Sequence, residues 1–228
     1  GVLHIPGSKS LCLVVCWVDD LVILCEDTKM RELIEKQLIK DFLVKLLGQL
    51  DTYVGIVLDK DAEGRTHLNQ SGYNKKVVVK YPVNRKFHAN IPAPTDRLSK
   101  IDCPDTDEER AKIDYPYISV TGSLLYSAIC TRPDIFFAVM QLCRFNSNPG
   151  HPHIRASEQC LRYLEETADM GITFTPPSKE DMDKKVPLDI VAFVDSDWGG
   201  CPDTRRSTIG YVVQVCGGPV AYRSKLMQ

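Results

Sequence analysis

The chain lacks the long apolar run that a membrane-spanning helix requires. Its longest uninterrupted apolar stretch, Leu11 to Val18, has eight residues, whereas a spanning helix needs about 20. The start of the sequence also lacks a basic segment followed by a cleavable apolar core, so we expect no secretory signal peptide. These two absences predict a protein that works inside the cell and outside the membrane.

An excess of charge of one sign is missing as well. Lys and Arg number 28, Asp and Glu number 30, and the net charge is −2. The whole chain therefore lacks the electrostatic footprint of a protein that coats nucleic acid or a membrane surface. The nine cysteines are odd in number and include no C-x-x-C spacing. We expect reduced core thiols rather than a disulfide framework or a zinc site.

What is present is the composition of a globular protein, with 43% hydrophobic and 25% charged residues. The length of 228 residues predicts one large or two small domains. Leu11 to Cys25 contains two apolar runs around a single Asp-Asp pair, which predicts a buried β-hairpin with acids at its bend. An amphipathic helix follows from Met30, and Gly48 is the predicted left-handed cap at its end.

A second hairpin is predicted over 51–69 and a short helix over 71–80, followed by a long loop at 81–115. Between 117 and 168 three amphipathic helices predict a small bundle, with Thr131 as the cap of the second helix. Strands are predicted at 188–194, 209–215 and 219–223. The three- and four-residue spacing in the bundle predicts these inward side chains: Leu124, Leu125, Ile135, Val139, Leu142, Leu161 and Leu164.

Asp19-Asp20 at the tip of the first hairpin is the most informative feature. Two carboxylates at the end of apolar strands are costly unless a cation or hydrogen bonds compensate them. Mg²⁺ is the usual compensating ion and is bound through carboxylates and substrate phosphates. An ordinary turn explains the pair equally well, because Asp is common in turns. A receiver-like acidic pocket is excluded by order, since the next strand that ends in Asp lies beyond three helices.

Trp17-Val18-Asp19-Asp20 with its apolar flanks resembles the palm motif of reverse transcriptases, where Tyr-x-Asp-Asp is usual. The segments downstream resemble the polyprotein of copia-type retrotransposons in order and spacing. These segments are Phe42 to Gly48, Tyr53 to Ile56, Gln70 to Tyr73, Gly122 to Tyr126, Thr131 to Ile135, Leu161 to Leu164 and Asp195 to Tyr211. Each motif is weak alone, but the ordered series is specific and covers nearly the whole chain. Trp17 and Leu46 depart from the usual pattern, which has a tyrosine and an acid there.

The resemblance implies an α+β fold. Its expected parts are a partial reverse-transcriptase palm at 1–80, a connecting region at 81–116, a three-helix thumb-like segment at 117–175, and the first strands of an RNase H-like sheet at 186–228. The implied function is RNA-directed DNA synthesis by two-metal phosphoryl transfer, coupled to RNA strand cleavage. Cytoplasmic virus-like particles and the nucleus are both compatible with that function.

The resemblance also implies site residues and cofactors. Asp19 would bind catalytic Mg²⁺ (or Mn²⁺), Asp20 would be a ligand or support, and Asp195 would be the first RNase H carboxylate, with Asp197 as runner-up. Residues 1–10 contain no acid, so the second palm aspartate is expected upstream and further RNase H acids downstream. With both metal sites incomplete, we expect this chain by itself to be inactive.

The implied partners are an RNA or DNA template-primer, deoxynucleoside triphosphates and the rest of the polyprotein; the oligomeric state stays open. Basic residues that could contact a nucleic-acid backbone are Lys75, Lys76, Lys80, Arg85, Lys86, Arg205 and Arg206, although an ordinary solvated surface explains them equally well. His151 and His153 have a spacing that metal sites use, but a local packing role is favoured. The alternative function is a decayed or repurposed non-catalytic remnant that binds nucleic acid.

Overall fold

The computed structural model describes residues 2–3, 11–81, 83–84, 86–184, 186 and 188–227. The chain forms two compact units, Gly1–Leu58 and Asp59–Gln228. Helices and strands are mixed along the chain, as expected for an α+β protein. No helix in the described ranges is long and apolar enough to cross a membrane.

The first unit contains the predicted hairpin. Strands β2 (Cys12–Trp17) and β3 (Asp20–Cys25) pair antiparallel, and β1 (Val2–Leu3) adds to the other edge of β2. Helix α1 (Thr28–Asp41) follows, capped by Asp27, whose carboxylate accepts the Lys29 backbone N–H at 2.8 Å. Short strands β4 (Thr52–Tyr53) and β5 (Ile56–Lys60) then form a tight hairpin.

The predicted end of α1 near Gly48 is wrong. The helix ends at Asp41, and Phe42 has extended backbone angles of φ −137° and ψ 156°. Phe42, Leu43 and Leu47 are exposed, so they gain nothing by continuing the apolar face of the helix. Gly48 does have a positive φ of 90°, but it lies seven residues beyond the helix.

The second unit confirms the helix at 71–80, the three bundle helices and the terminal strands. The predicted loop at 81–115 also holds a 3₁₀ turn, Lys100–Asp102, and a five-residue helix at Asp107–Ala111. Such short helices follow local caps, here Ser99 and Thr106, rather than hydrophobic periodicity. The remaining elements are β6 (Thr66–Asn69), α2 (Ser71–Lys80), α3 (Asp107–Ala111), α4 (Tyr117–Cys130), α5 (Pro133–Cys143), α6 (His151–Glu166), β7 (Gly171–Phe174), α7 (Lys179–Asp183), β8 (Ile190–Ser196), β9 (Thr208–Val215) and β10 (Gly218–Leu226).

The core of this unit lies where α4, α5 and α6 pack together, with α2 against α4 and α6. Six of the predicted inward side chains are at most 2% exposed, whereas Leu125 is only partly buried. The fully buried six are Leu124, Ile135, Val139, Leu142, Leu161 and Leu164. The helical spacing therefore assigned the buried faces correctly.

Buried polar side chains join α2 to the bundle. The Ser127 hydroxyl donates to Asn74 at 2.7 Å, and Asn74 donates to the Ala168 carbonyl at 3.2 Å. The Thr131 hydroxyl donates to the Gln70 side-chain oxygen at 3.0 Å. Thr131 therefore does not cap α5 as predicted; it ends α4, and its hydroxyl is used between helices.

Two antiparallel arrangements complete the unit. Strand β6 pairs with β7, and β8, β9 and β10 form a sheet in the order β10-β9-β8. Strand β10 packs on the bundle through Tyr222, whose ring meets Phe136 edge-on at 5.6 Å. The Tyr222 hydroxyl donates to the carbonyl groups of Ala128 and Ile129 at the end of α4. One end of the sheet is therefore fixed on the helices.

Candidate functional site

The carboxylate pair lies at the tip of the β2–β3 hairpin. Trp17 and Asp20 are the closing pair, so the loop consists of Val18 and Asp19 alone. Val18 has a φ of 51°, whereas Asp19 is not among the residues with positive φ. A positive φ at the first of two loop residues is the pattern of a type II′ turn, where Gly is preferred.

Val18 therefore holds a strained backbone conformation at this tip. A β-branched residue with positive φ is unusual and costs of order 1–3 kcal/mol. Val18 is also exposed, so burial of its side chain does not repay that cost. Strain of this kind concentrates at functional sites, which makes the tip beside Asp19 and Asp20 a candidate site.

Both carboxylates are exposed. Tyr53 lies close enough that desolvation, followed by the negative charges of Asp20 and Cys16, raises the pKa of its phenol. The buried Tyr53 hydroxyl has no hydrogen-bond partner among the described residues. A buried donor without a partner is costly, so Tyr53 is a polar group that a ligand at the Asp20 side chain could satisfy.

The described residues do not by themselves complete a metal site. No group of three or more His, Cys, Asp or Glu side chains comes together in the ranges that the structure describes. A catalytic Mg²⁺ bound by protein carboxylates needs ligands arranged around an octahedron. Asp19 and Asp20 supply oxygens from one short turn only, so they fit only part of such a site.

Asp195 lies in the second unit, one residue before the end of β8. It pairs with Gly210 across the strands, and its carboxylate is exposed. Among the described residues that carboxylate accepts only a local bond from the Ser196 backbone N–H at 2.8 Å. This free carboxylate at the end of an apolar strand matches the sequence prediction for its placement.

The Asp197 carboxylate, unlike that of Asp195, is hydrogen-bonded within its own loop. Its Oδ1 accepts the backbone N–H of Thr208 at 2.7 Å and of Gly200 at 3.3 Å, and its Oδ2 lies 3.7 Å from Arg97. A Cβ on Gly200 would force the Asp197 carboxylate and the Arg97 guanidinium to shift from these positions. Asp197 therefore shapes the turn after β8, whereas Asp195 is available to a ligand.

The loop after Asp197 is fixed on the bundle. Asp203 accepts the Ser99 hydroxyl at 2.7 Å and the Lys100 N–H at 2.9 Å, and Arg144 donates to it at 3.4 Å. Burial alone would raise the pKa of Asp203, but these donors lower it below its ordinary value. Beside this contact is a cavity of about 180 Å³, lined by residues 92–98, by α5 and by the loop.

The described basic residues differ in how far their charges are paired. Lys75 pairs with Asp169 at 2.8 Å, which lowers the pKa of that carboxyl, and Lys80 lies 5.0 Å from the centre of the Tyr81 ring. Lys76 and Lys86 are exposed, as are Arg205 and Arg206 in the loop before β9. Arg85 lies outside the described residues. Among the described residues, Lys75 is the α2 lysine with an ion pair, and Lys76 and Lys80 are exposed.

His153 has the local role that the sequence favoured. Its Nδ1 accepts the Gly150 N–H at 2.9 Å, its Nε2 is 3.1 Å from the Ser99 carbonyl, and its ring stacks on Phe145 at 3.9 Å. His151 is exposed. The pair therefore does not converge on one ligand.

Sequence reasoning missed two contributors to these sites. Tyr53 belongs to a motif that carries no charge, so only the fold reveals its proximity to Asp20. Asp203 lies in a polar loop sequence, and its partner Arg144 is 59 positions away, a separation that periodicity cannot detect. The local signal was an aspartate between Pro202 and Thr204, followed by Arg205 and Arg206.

Comparison with known proteins adds independent information. The family described as "Reverse transcriptase (RNA-dependent DNA polymerase)" matches residues 3–95. The chain is 32% identical over 225 residues, 97% of its length, to the retrovirus-related Pol polyprotein from transposon TNT 1-94 of Nicotiana tabacum, of which it spans 16%. It is 27% identical over its whole length to the putative transposon Ty5-1 protein of Saccharomyces cerevisiae and spans 70% of that protein.

A third relative is named as a secreted effector rather than as a transposon protein. The secreted RxLR effector protein 161 of Plasmopara viticola is 38% identical over 110 residues, which are 48% of this chain and 72% of that protein. No solved structure matches the chain significantly. Sequence similar to nearly all of this chain therefore occurs within a long polyprotein and in a much shorter yeast protein, and sequence similar to about half of it occurs in the effector.

Proposed function

Because this chain belongs to the reverse transcriptase family of copia-type retrotransposon polyproteins, we propose that it is a segment of an RNA-directed DNA polymerase that carries part of the polymerase active site. The observation that carries the proposal is the exposed Asp19-Asp20 pair on a strained two-residue turn, inside the residues that match the family. The chain spans 16% of the tobacco polyprotein, so the activity of the whole protein is itself part of the proposal.

In this proposal the first hairpins are part of the palm, the α4–α6 bundle is thumb-like, and β8–β10 begin an RNase H-like sheet. The order of the elements supports it, since the hairpins precede the bundle and the antiparallel sheet follows it. Asp195 supports the last assignment, because its carboxylate is free at the end of β8 while Asp197 is used in the turn.

The polymerase metal site requires ligands in addition to Asp19 and Asp20. Two-metal catalysis places two ions about 3.5–4 Å apart, and one turn with two adjacent carboxylates cannot surround both. We therefore expect Mg²⁺ or Mn²⁺ to bind only when other parts of the polyprotein supply further oxygens, and the 228-residue chain alone to be inactive. The Tyr53 hydroxyl, which has no hydrogen-bond partner among the described residues, would then be available to a group bound beside Asp20.

The proposed partners are a template-primer and deoxynucleoside triphosphates. Lys76 and Lys80 on α2 are the candidates for contacts with the nucleic-acid backbone, because Lys75 is neutralised by Asp169. Contacts of this kind weaken as salt rises, since each neutralised phosphate releases counterions. Arg205 and Arg206 could make similar contacts near the RNase H-like sheet.

The second candidate function is a repurposed non-catalytic protein. The similarity to a secreted effector over most of that protein's length favours it, because the segment there occurs without the rest of a polyprotein. In that case Asp19 and Asp20 would act only as turn residues. The two candidates make different predictions about the same carboxylates.

Primer extension distinguishes them. We expect no nucleotide incorporation by the purified 228-residue chain with Mg²⁺ or Mn²⁺, and incorporation by the reverse transcriptase region of the polyprotein that contains it. Asp19→Asn or Asp20→Asn in that larger protein should abolish incorporation. Glu32→Gln changes an exposed carboxylate on α1 and should leave incorporation unchanged.

Incorporation by the larger protein that survives both aspartate changes would contradict the proposed role of the pair. Failure of the larger, folded protein to incorporate nucleotides at all would favour the repurposed protein. Measurable incorporation by the 228-residue chain, lost in Asp19→Asn, would show that its own residues complete the site.

A further inference from the structure

Two cysteines face each other at the base of the hairpin that carries the carboxylates. Cys12 in β2 is paired in register with Cys25 in β3. Cys12 is completely buried, whereas Cys25 is partly exposed. Both residues belong to the first compact unit, so this pairing depends on no other part of the chain.

The register shows which kind of cross-strand site the pair occupies. A two-residue hairpin loop is closed by a hydrogen-bonded pair, here Trp17 and Asp20, and the two kinds of pair alternate from there. Counting down the strands makes Cys12 and Cys25 a non-hydrogen-bonded pair. The bond from the Glu26 N–H to the Leu11 carbonyl, in the next pair, agrees with this count.

Non-hydrogen-bonded positions bring side chains close together. Their Cα atoms lie about 4.5 Å apart, which is within the range of about 4.4–6.8 Å that a disulfide spans. The thiols already interact: burial, followed by a hydrogen bond to Cys25 and its charge, raises the pKa of Cys12. The Cys25 thiol in turn donates to the Asp27 carbonyl at 3.3 Å.

We propose that Cys12 and Cys25 form a reversible cross-strand disulfide when the protein meets a disulfide oxidant such as oxidised glutathione. The thiolate of Cys25, the accessible partner, attacks one sulfur of the oxidant and releases one reduced glutathione. The thiolate of Cys12 then attacks the Cys25 sulfur and releases the second. The two cysteines lose two electrons and two protons, and one disulfide of the oxidant becomes two thiols.

The bond would close the hairpin at the end opposite to Asp19 and Asp20. The linked loop contains the whole of the two-residue turn, so opening of the strands from their base would be prevented. Disulfides that are accessible from one side are the labile ones, and they respond to the redox state of the surroundings. The site therefore couples the oxidation state to the rigidity of the hairpin.

Cys16 provides a matched control. It lies in the same strand, is exposed and faces Leu21 in register, so it has no cysteine opposite to it. If exposure alone decided oxidation, Cys16 would react first and would form mixed disulfides. The proposal predicts instead that Cys25 forms an intramolecular disulfide, because Cys12 lies opposite to it.

The test uses the full chain equilibrated with mixtures of reduced and oxidised glutathione, then blocked with an alkylating agent. Cleavage before Asp19 by a protease specific for aspartate separates the two strands, so a linked peptide pair shows a bond to Cys25. Fragment ions that divide Cys12 from Cys16 then show which cysteine is linked. We expect a Cys12–Cys25 link that is lost in Cys25→Ser and retained in Cys16→Ser. Amide exchange over 11–26 should slow on oxidation in the wild type and in Cys16→Ser.

Persistent glutathione on Cys25 without a link to Cys12 would overturn the proposal, and so would links from Cys25 to Cys16 in equal amount. Because buried Cys12 could be needed for folding, Cys12→Ala serves as the second variant, and in it Cys25 should stop at the mixed disulfide. A Cys25 that still forms an intramolecular link in folded Cys12→Ala would also contradict the pairing.

Discussion

Arg132 shows how the bundle accommodates a charge in its interior. Its side chain is 1% exposed, and it donates to both oxygens of Asp134, at 2.9 and 2.7 Å. It also donates to the carbonyl and the hydroxyl of Thr167 at the end of α6 and lies 5.6 Å from the Tyr163 ring. A buried guanidinium is tolerated only when its donors are used, so these contacts join the start of α5 to the end of α6.

Removing the charge of Asp134 should therefore destabilise the fold. We expect Asp134→Asn to lower the free energy of unfolding by about 3 kcal/mol, because breaking one partner of a buried pair leaves the other uncompensated. Urea denaturation measures the change. Asp107→Asn, at an exposed pair on α3, should change it by less than about 0.5 kcal/mol. Equal effects of both changes would mean that Arg132 finds other partners.

The buried His153 should make stability depend on pH. Burial lowers the pKa of its imidazole, although the Ser99 carbonyl and the charges of Asp102 and Asp203 oppose that effect. A folded-state pKa below the unfolded value of about 6.5 means that the unfolded chain binds more protons. The contribution of the neutral His153 imidazole to the free energy of unfolding is complete above about pH 6.5, and it is lost as the pH falls towards the folded-state pKa.

We expect the wild type to lose more stability between pH 7 and mildly acidic pH than His153→Gln, when both are measured by thermal unfolding. His88→Gln is the control, because His88 is largely exposed. Identical pH profiles of the wild type and His153→Gln would contradict the burial argument.

Single residues differ in how far sequence predicts them. The placement of Asp19, Asp20 and Asp195 followed from their position at the ends of apolar strands, which the sequence shows directly. The proximity of Tyr53 to Asp20 could not be predicted, because it depends on how separate hairpins lie in the fold. Thr131 was given a local capping role, but a buried acceptor on Gln70 was available and competed for its hydroxyl.

At the scale of elements, tight turns set the registers of the hairpins. Val54 and Gly55 have φ values of 49° and 73°, and Cys216 and Gly217 have 52° and 76°. Two successive positive φ angles between paired strands define a type I′ turn, for which Asn-Gly is preferred. In both turns the glycine occupies its expected position, and the residue before it is strained.

Val54→Asn should consequently stabilise the first of these turns. Asn tolerates positive φ far better than a β-branched residue, so we expect a gain of about 1 kcal/mol in the free energy of unfolding. Val54→Ala is the control, since alanine keeps a Cβ and lacks the local hydrogen bonds of asparagine. A loss of stability in Val54→Asn would mean that the valine side chain is needed for packing.

Hydrophobic periodicity predicted the long elements well and the short ones poorly. The bundle helices and their buried faces followed from spacing, because burial repeats every three or four residues. The two-residue hairpin at Tyr53 and Ile56 and the short α3 and α7 were missed. Their residues are too few to show a period, and turns and caps decide them instead.

At the scale of the second unit, one loop connects the bundle to the terminal sheet. Arg144 at the end of α5 donates to the Cys201 sulfur at 2.8 Å and to Asp203 at 3.4 Å. Burial opposes ionisation of Cys201, but hydrogen bonds from Thr204 and the loop backbone, with the charge of Arg144, lower the pKa of its thiol. The sheet is therefore attached to the helices through β10 and through this loop. Strand β8, which carries Asp195, lies at the opposite edge and has no neighbour on its outer side among the described strands.

This asymmetry predicts a gradient of amide exchange within the same unit. All seven residues of β8 are exposed, and the strand pairs only with β9, so alternate N–H groups lack a partner strand. We expect residues 190–196 to exchange much faster than the buried faces of α4 and α5, because openings of an edge strand cost less than unfolding of the core. Strand β9, paired on both sides, is the internal control and should exchange more slowly than β8. Protection of β8 equal to that of β9 would show that a further strand or a second molecule covers the edge beside Asp195. A ligand could then reach that carboxylate only from one face of the sheet.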